Sequence, residues 1–333
     1  MTANILVTGG AGYIGSHTCK ALHAAGLTPV TYDNLSLGHA EFVKWGPLVK
    51  GDTRDADRVA ETITAHDIQA VIHFAALSSV GESVAEPTRY YANNVGGLLG
   101  VLEGMRIAGC RSIVFSSTAA VYGEAKTSPI LEDAPTEPVN AYGRSKLMCE
   151  QILGDCRAAH GLDFIALRYF NASGADPETE IGELRKAETH LIPRAMMSLQ
   201  GYIDDFQVFG SDFPTPDGTA IRDYIHVSDL AEAHVLAVRR LLDGASGGAF
   251  NLGTGHGYSV GEVLAEIERV TGRTLGTPTG ARRAGDPVRL VAGVDRARTE
   301  LGFEAGQSSL ESIVRTAWRW HQGAHPLRNA PAD

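Results

Sequence analysis

The sequence predicts an α/β fold in which a doubly wound parallel sheet carries a smaller mixed α/β unit toward its C-terminal end. Short apolar strands alternate with helical stretches through the first half of the chain, and a glycine-rich turn separates the first strand from the first helix. The chain has 333 residues, which is long for one compact sheet unit and leaves room for the second unit.

Composition and charge narrow the class of protein. The chain is 44% hydrophobic and 20% charged, as is ordinary for a globular protein, and no apolar run has the length of a membrane span. Its net charge of −10 argues against non-specific nucleic-acid binding. The first residues show no signal segment, and Cys19, Cys110, Cys149 and Cys156 form no metal-binding pattern. We therefore expect a cytoplasmic protein with reduced thiols and with neither membrane nor nucleic acid as a partner.

The first strand, Ile5 to Thr8, runs into a turn with glycines at Gly9, Gly12 and Gly15, followed by a helix to about Ala25. Glycines at this spacing let the backbone approach a pyrophosphate, and the helix N-terminus attracts its negative charge. A glycine triplet alone also occurs in ordinary helix-capping turns. Its place between a buried strand and a helix favours a Rossmann-type dinucleotide site.

An acidic residue follows the second strand, Pro29 to Tyr32, where a dinucleotide site requires one. Asp33 lies about twenty residues beyond the glycines, and Asn34 comes next. A carboxylate there holds ribose hydroxyls and repels a 2′-phosphate, so we expect NAD rather than NADP. The alternative is an Asp-Asn pair that only opens a turn, and the spacing argues against it.

Two further strands contribute to the same site. Leu48 to Lys50 leads to Asp52, whose carboxylate we expect to accept a hydrogen bond from the adenine amino group. Ala70 to Ala75 forms a strongly apolar strand, and the small pair Ala75 and Ala76 leaves room for the cofactor.

The strand from Ser112 to Ser117 leads into the residues that carry the chemistry. Ligands of parallel sheets lie beyond the carboxyl ends of the strands, which is where Thr118 falls. A helix beginning near Asn140 places Tyr142 and Lys146 one turn apart on one face, so a phenol and an ammonium can reach the same substrate. These side chains predict a site that moves a proton.

The second half of the chain predicts shorter elements. We expect a sixth strand at Asp163–Phe170, and a strand at Ala249–Gly253 that rejoins the main sheet. Residues Asp176–Glu188 are charged and lack apolar periodicity, which predicts a loop. The remaining predicted helices are His190–Leu199, Asp229–Leu242, Val260–Val270 and Ser308–His321.

Taken together, these motifs resemble the extended short-chain dehydrogenase/reductase superfamily, and within it the UDP-glucose 4-epimerase family. The matching stretches keep that family's order and span nearly the whole chain; they include TGGAGYIGSHT at 8–18, HFAALSSVGES at 73–83, and residues 115–123, 142–151 and 222–227. The resemblance implies a tightly held NAD that oxidises the 4-hydroxyl of a UDP-hexose to a ketone and returns the hydride to the other face. UDP-galactose and UDP-glucose would interconvert with no net redox change.

The resemblance also implies roles for individual residues. Tyr142 would take the proton from the 4-hydroxyl, Thr118 would hydrogen-bond the same oxygen, and Lys146 would bind the nicotinamide ribose and hold Tyr142 anionic. The other cofactor-binding residues would be Gly9, Gly12, Tyr13, Ile14, Gly15, Asp33, Asn34, Asp52, Thr53, Phe74, Ala75, Ala76, Asn93, Ser116 and Tyr169. The other substrate-binding residues would be Asn171, His190, Leu191, Arg222, Arg283, Asp286 and Leu290.

The expected division of the chain follows. Residues 1–170, with later returns near 220–255, would form the NAD-binding unit. Residues 171–219 and 256–325 would form the nucleotide-sugar-binding unit, and residues 326–333 a flexible tail.

By resemblance, the protein is expected to be a homodimer in which each subunit contributes two helices to a four-helix bundle. These would be a long helix of about Pro87 to Ala108 and the helix of about Tyr142 to Ala159. Gly96 and Gly97 inside the first helix, together with Gly100, predict close packing against another element and are consistent with such a bundle.

Ser78 departs from the pattern of the family, and Leu290 leaves the accepted sugar undecided. Ser78 stands where some relatives have a lysine directed at the cofactor pyrophosphate. Leu290 occupies the position where side-chain bulk is associated with admitting or excluding N-acetylated sugars, and it is neither the largest nor the smallest residue found there.

Rival functions make different demands on the sequence. A 4,6-dehydratase of the same superfamily needs an acid pair after Thr118, where this chain has Ala119 and Ala120, and a UDP-glucuronate decarboxylase needs a glutamate. A 4-epimerase of a UDP-pentose or a UDP-N-acetylhexosamine stays open, and a non-catalytic NAD sensor would have no need of the three catalytic side chains. The histidines fit no metal-ligand spacing, so no metal is expected.

The energetics of the base lead to a hypothesis about Tyr142. Lowering a tyrosine pKa from about 10 to about 7 requires roughly 4 kcal/mol. One cation at about 6 Å supplies roughly 3 kcal/mol at an effective dielectric constant of 20. Lys146 alone falls short, so we expect Tyr142 to be a competent base only with the oxidised cofactor bound.

Overall fold

A seven-stranded parallel sheet is the centre of the protein in the computed structural model, which describes residues 3–245, 247–282 and 286–323. The predicted tail, 326–333, lies outside these residues. The strands are β1 (Asn4–Thr8), β2 (Thr28–Asp33), β3 (Leu48–Lys50), β4 (Ile68–His73), β5 (Ser112–Thr118), β6 (Asp163–Tyr169), β7 (Asn171–Ser173), β8 (Val208–Phe209), β9 (Ile221–Arg222), β10 (Tyr224–His226), β11 (Gly248–Leu252), β12 (Tyr258–Ser259), β13 (Thr279–Gly280) and β14 (Arg289–Leu290).

The main sheet has the order β11-β6-β5-β4-β1-β2-β3, and every pair in it is parallel. The chain therefore winds outward from β1 in both directions, which confirms the predicted doubly wound α/β fold. β11 pairs with β6, so the strand predicted to rejoin the sheet does so. β4 ends at His73 rather than at Ala75, because the amides of Phe74 and Ala75 turn to donate to the Thr8 carbonyl.

Helices cover both faces of this sheet and also build the smaller unit. They are α1 (Tyr13–Ala24), α2 (Ala56–Ala65), α3 (Val80–Ala85), α4 (Pro87–Tyr90), α5 (Gly96–Ala108), α6 (Ala141–His160), α7 (Leu191–Leu199), α8 (Val227–Leu242), α9 (Val260–Thr271) and α10 (Leu310–Gln322). Short 3₁₀ turns lie at Ala40–Phe42 and Ala119–Tyr122, and π turns at Tyr91–Val95 and Ala297–Leu301. As predicted, residues 176–188 form no helix or strand.

The apolar core has a layer on each face of the sheet because successive strand residues point to opposite sides. Ile5 and Val7 pack in the layer covered by α1 and α8, whereas Leu6 packs in the layer covered by α2, α5 and α6. A separate cluster joins α7, α9 and α10, with Met196, Ile267 and Val314 fully buried in it. The stripe on the last helix is thus core, as its spacing predicts.

The state of the cysteines and the character of the helices bear on the class of protein. All four cysteines are free thiols; Cys19, Cys110 and Cys149 are buried and Cys156 is partly exposed. Within the described residues, no helix combines the length and the apolar character needed to cross a bilayer.

The predicted long helix from Pro87 is present as one helical path to Ala108, but it contains a π turn. The α-helical path is interrupted by the π turn at Tyr91–Val95, and α5 begins only at Gly96. Within this turn Asn94 is directed at the backbone of Leu77, from which it accepts one hydrogen bond and to which it donates another. The wider turn thus serves to place a side chain, a common use of π turns.

The glycines of α5 pack within the subunit, so they give no support to a dimer interface. A Cβ on Gly97 would lie 2.7 Å from the Thr53 hydroxyl, and one on Gly100 would lie 2.3 Å from the Thr53 carbonyl oxygen. The predicted close packing is correct, but the partner is the segment leading into α2. Any larger residue would push this segment away from α5.

A buried ion pair joins the helix α6 to the sheet. The guanidinium of Arg168 on β6 donates to both carboxylate oxygens of Glu150, and it also reaches the hydroxyl of Tyr122 at 2.9 Å. Glu150 additionally accepts a hydrogen bond from Ser117 on β5. The side chains of Arg168 and Glu150 are each only 9% exposed, so neither charge is solvated by bulk water.

Replacing Arg168 with methionine should lower the free energy of unfolding by about 3–5 kcal/mol, because Glu150 would stay buried without its partner. Chemical denaturation monitored by circular dichroism measures this loss. The exposed Arg111, replaced in the same way, serves as the control and should change stability by less than about 0.5 kcal/mol. Equal stabilities of the two variants would refute a structural role for the pair.

Candidate active site

The glycine turn after β1 is folded as tightly as a diphosphate-binding loop requires. Gly9 has a φ of +73°, and a Cβ on it would lie 2.7 Å from the amide nitrogen of Ala75. A Cβ on Gly15 would lie 2.2 Å from the carbonyl oxygen of Gly9. Side chains are thus excluded from both positions, and α1 begins directly after Gly12 with its free amides at the loop.

Asp33 lies at the end of β2 and is tied to the glycine turn. Its carboxylate accepts hydrogen bonds from the amides of Ala11, at 3.1 Å, and Leu35, at 2.8 Å. Burial raises the pKa of Asp33, and these two bonds oppose that rise. The structure thus holds a carboxylate beside the loop, where it can face the ribose of a dinucleotide.

Asp52 and Asn34 lie together at the same edge, but the Asp52 carboxylate already has a partner. Arg54 donates to its two oxygens at 2.8 and 2.7 Å, while Asn34 approaches it at 3.4 Å. The Arg54 guanidinium holds the pKa of Asp52 well below its usual range. The adenine contact expected of Asp52 stays a prediction.

The catalytic candidates meet where β5 ends and α6 begins. Thr118 is the last residue of β5, and its hydroxyl accepts a hydrogen bond from the amide of Ala120 at 3.1 Å. Asn140 caps α6 by accepting from the amide of Gly143 at 2.8 Å, which places Tyr142 in the first turn. The Thr118 side chain lowers the pKa of the Tyr142 phenol, so the two predicted catalytic residues are neighbours at this point.

Lys146 lies one turn further along α6 and is almost completely buried. Its ammonium donates to the carbonyl oxygen of Ser116 at 2.7 Å and lies 4.8 Å from the centre of the Phe115 ring. Desolvation lowers the pKa of Lys146 to about 8, so the side chain is still charged at neutral pH. Lys146 thus supplies a buried positive charge beside the carboxyl end of β5.

Burial favours the neutral form of the Tyr142 phenol. Burial raises the pKa of its phenol above the ordinary value, and the hydrogen bond with Thr118 and the charge of Arg185 only partly oppose this. A neutral phenol is therefore the resting form at pH 7. A further positive charge nearby would lower this pKa and favour the phenolate, which is the form that accepts a proton.

Several residues that position the catalytic helix were missed at the level of sequence. The Asn94 amide donates to Ser145 at 3.0 Å, and Ser145 directly precedes Lys146. Glu150, one turn beyond Lys146, receives Arg168 and Ser117. Asn94 stands beside the predicted Asn93, and only the π turn shows which of the two reaches the helix.

The remaining cofactor candidates differ in their surroundings. Tyr169 at the end of β6 is hydrogen-bonded to Ser116, and the Tyr13 hydroxyl donates to the carbonyl of Gly174 at 2.6 Å. Ile14 packs against the core layer of α1 and α8. Thr53 lies against α5, so its contact is with the helix rather than with open space.

On the substrate side the structure brings together Arg222 and Asp286, which form an ion pair. Leu290 on β14 lies opposite Arg222 on β9, and its side chain packs near Tyr122. Asn171 begins β7, and its amide donates to the carbonyl of Asp223. Arg283 lies outside the described residues.

His190 and Leu191 occupy the start of α7. The His190 ring is hydrogen-bonded to the buried Glu183 at 2.7 Å, and this carboxylate raises the pKa of His190. Leu191 is partly buried against the core of the smaller unit. His190 is thus engaged with a carboxylate, and its predicted contact with substrate stays a prediction.

These features define a class of protein: a dinucleotide-dependent enzyme of the short-chain type, with a tyrosine and a lysine one turn apart on the helix that follows the β5 strand end. The donor set fits the cofactor, since side chains are excluded from the glycine loop and a carboxylate stands beside it. Residues 5–253 match the model of the NAD dependent epimerase/dehydratase family.

Known proteins are similar over nearly their whole lengths. The UDP-glucose 4-epimerase of Rhizobium meliloti (strain 1021) is 52% identical over 96% of this chain and 97% of its own. The crystal structure of the Brucella ovis UDP-glucose 4-epimerase with NAD is 50% identical, covers 96% of this chain and 99% of its own, and has a TM-score of 0.93. The Bifidobacterium longum UDP-glucose 4-epimerase with NAD+ and UDP is 38% identical over 96% and 98%, with a TM-score of 0.90. The chain therefore belongs to the NAD dependent epimerase/dehydratase family and, within it, to the UDP-glucose 4-epimerases.

Replacing Gly15 with alanine should weaken NAD binding by about 10- to 100-fold, because the new methyl group would collide with the backbone of Gly9. The cofactor retained per chain after gel filtration measures this effect. Gly154 is the matched control, since a Cβ there meets open space on α6 and alanine should retain the cofactor. Full retention in both variants would contradict the assignment of the loop.

Proposed function

We propose that the protein reversibly inverts the 4-hydroxyl of a UDP-hexose, interconverting UDP-galactose and UDP-glucose through a 4-keto sugar. The observation that carries this proposal is the placement of Tyr142 and the buried Lys146 on α6 beside Thr118 at the end of β5, with alanines at 119 and 120. Without an acid in these two positions, the site offers no group to drive elimination, so oxidation and reduction at one carbon remain. The relatives that act on UDP-glucose support the same substrate.

Each catalytic side chain has a distinct task. Tyr142 removes the proton from the 4-hydroxyl and later returns it, while Thr118 holds the same oxygen by a hydrogen bond. Lys146 stabilises the phenolate electrostatically and binds the nicotinamide ribose. The bound NAD supplies the chemistry of hydride acceptance and return. Because Tyr142 is buried beside Thr118, the proton is exchanged away from bulk water.

The nucleotide end of the substrate is assigned to the smaller unit. Arg222 offers a guanidinium suited to phosphate oxygens, and Asp286 holds it in place until the nucleotide arrives. Asn171 and the start of α7, at His190 and Leu191, complete this side of the pocket. The unit built on the main sheet would thus bind the cofactor, and the smaller unit would bind the nucleotide of the substrate.

Leu290 is proposed to set the size of the sugar pocket. The pairing of β14 with β9 places it beside Arg222, and it packs in the cluster that includes Val121 and Tyr122, just after Thr118. A side chain of intermediate bulk at this point favours the unsubstituted hexose. UDP-N-acetylglucosamine is the informative comparison substrate.

We further propose a homodimer formed through α5 and α6. Leu99 and Ile107 on α5 are 50% and 51% exposed, and Met148 on α6 is 42% exposed. Large apolar side chains on two helices of one subunit are typical of an interface. Sedimentation at twice the mass of 35.4 kDa, reduced to one mass by Leu99→Asp, would support this assembly.

Purified protein should convert UDP-galactose into UDP-glucose without added NAD, and Tyr142→Phe should lower kcat by about 10²- to 10⁴-fold because the proton acceptor is lost. Product formation is followed by chromatography of the two sugars. The half-exposed Tyr202, changed to phenylalanine, should retain full activity. Wild-type protein that holds NAD but turns over neither UDP-galactose nor a UDP-N-acetylhexosamine would overturn the proposal.

The pKa of Tyr142 should be lower with NAD than with NADH, because the positive nicotinamide favours the phenolate and the neutral one does not. Phenolate formation, which begins at lower pH in the oxidised enzyme, is measured by ultraviolet difference spectra across a pH series. Subtracting the Tyr142→Phe variant isolates this one tyrosine. Equal midpoints for the two cofactor forms would rule out the hypothesis.

A further inference from the structure

Residues 174–190, which we call the strap, connect β7 to α7 and are tied down on the dinucleotide-binding side. The Tyr13 hydroxyl holds the Gly174 carbonyl, and Lys20 on α1 forms ion pairs with Asp176, Glu178 and Glu180. His39 bonds the Leu184 carbonyl at 3.1 Å, and Lys44 donates to that of Glu180 at 2.9 Å. The strap therefore lies against α1 and the segment that follows β2, next to the glycine turn.

Arg185 is the cation that the strap brings to the cofactor pocket. Its Nε donates to Glu183 at 2.9 Å, and its Nη1 approaches the hydroxyl of Ser78 at 3.5 Å. Ser78 follows β4, the strand beside β1 in the sheet. Its charge also lowers the pKa values of Tyr13, Tyr142 and Tyr169 against the effect of burial. The guanidinium thus lies beside Ser78 and near enough to Tyr13 and Tyr142 to act on both electrostatically.

Some N–H groups of the Arg185 guanidinium have no close hydrogen-bond acceptor among the described residues. Among the described residues, Nη2 has no hydrogen-bond acceptor, and the Nη1 contact with Ser78 is at the limit of a hydrogen bond. The side chain is 30% exposed, so its remaining N–H groups are accessible to a ligand. Paired donors in one plane are suited to a phosphate.

A metal cation fits the surroundings of Arg185 less well than an anion does. Glu183, Glu188 and His190 bring possible ligand atoms within 4.8 Å of one another, but Arg185 already lies against the same Glu183 oxygen. His190 shares that oxygen as well. The acidic charge is thus balanced by protein groups, and the unused donors point to an anion.

We propose that Arg185 binds the diphosphate of the bound dinucleotide, so that the strap of the smaller unit clamps the cofactor onto the glycine turn. The diphosphate of a dinucleotide lies at such a turn, and Tyr13 of the turn is within the electrostatic reach of Arg185. Ser78 carries no charge, so Arg185 supplies the positive group at this edge. The proposal rests on the proposed function for the identity of the cofactor.

The test compares two single-charge substitutions in the holoenzyme. Arg185→Gln should release bound NAD about 10- to 100-fold faster than the wild type, measured by exchange against labelled NAD. Lys186→Gln removes the same charge from the neighbouring exposed residue and should leave release unchanged. Arg185→Lys should give an intermediate rate, and raising the salt concentration should accelerate release from the wild type more than from Arg185→Gln.

The outcomes of this test distinguish cofactor binding by Arg185 from a purely structural role and from a role in substrate binding. If Arg185 only neutralises Glu183, Arg185→Gln would lower Tm but leave the exchange rate of folded protein unchanged, and the proposal would be wrong. If only the KM for the UDP-sugar rises, the guanidinium serves the substrate instead, which also overturns it. NAD exchange is measured without turnover, so a failure of the epimerase assay leaves this test intact.

Discussion

The buried ammonium of Lys146 is the constraint on which the site depends. A desolvated cation is costly unless its environment compensates, and here the Ser116 carbonyl and the Phe115 ring do so. Both partners belong to β5, whereas Lys146 belongs to α6, so satisfying the charge fixes the helix against the strand. Tyr142, one turn earlier, is then necessarily placed at the end of β5 beside Thr118.

Polar contacts from other segments of the chain also hold the site together. Asn94 ties the loop after β4 to Ser145, and the Arg168–Glu150 pair ties α6 to β5 and β6. The strap adds a contact from the smaller unit through Arg185. The site is therefore built from segments far apart in the chain, and the contacts of Asn94 and of the Arg168–Glu150 pair are largely buried. Such contacts define one arrangement because a misplaced partner leaves an unsatisfied group.

The sequence was informative where function needs a particular residue at a particular spacing. The glycine turn, Asp33 and the pair of Tyr142 and Lys146 could be located because a strand or helix period fixes their relative positions. The π turn could not be predicted, since it depends on Asn94 finding Leu77, and the role of the α5 glycines depends on Thr53, a distant residue. Arg185 lies in a charged, aperiodic loop, where only the folded structure shows which charge faces inward.

Asp223 holds the backbone around Leu290 in place through hydrogen bonds. Its buried carboxylate accepts hydrogen bonds from the amides of Thr254, Gly255 and Ala292, while its own amide donates to the Leu290 carbonyl. The bonds that hold the backbone around Leu290 use the carbonyl of residue 290 and the amide of Ala292, and none of them uses the Leu290 side chain. A different side chain at position 290 would therefore leave these bonds in place.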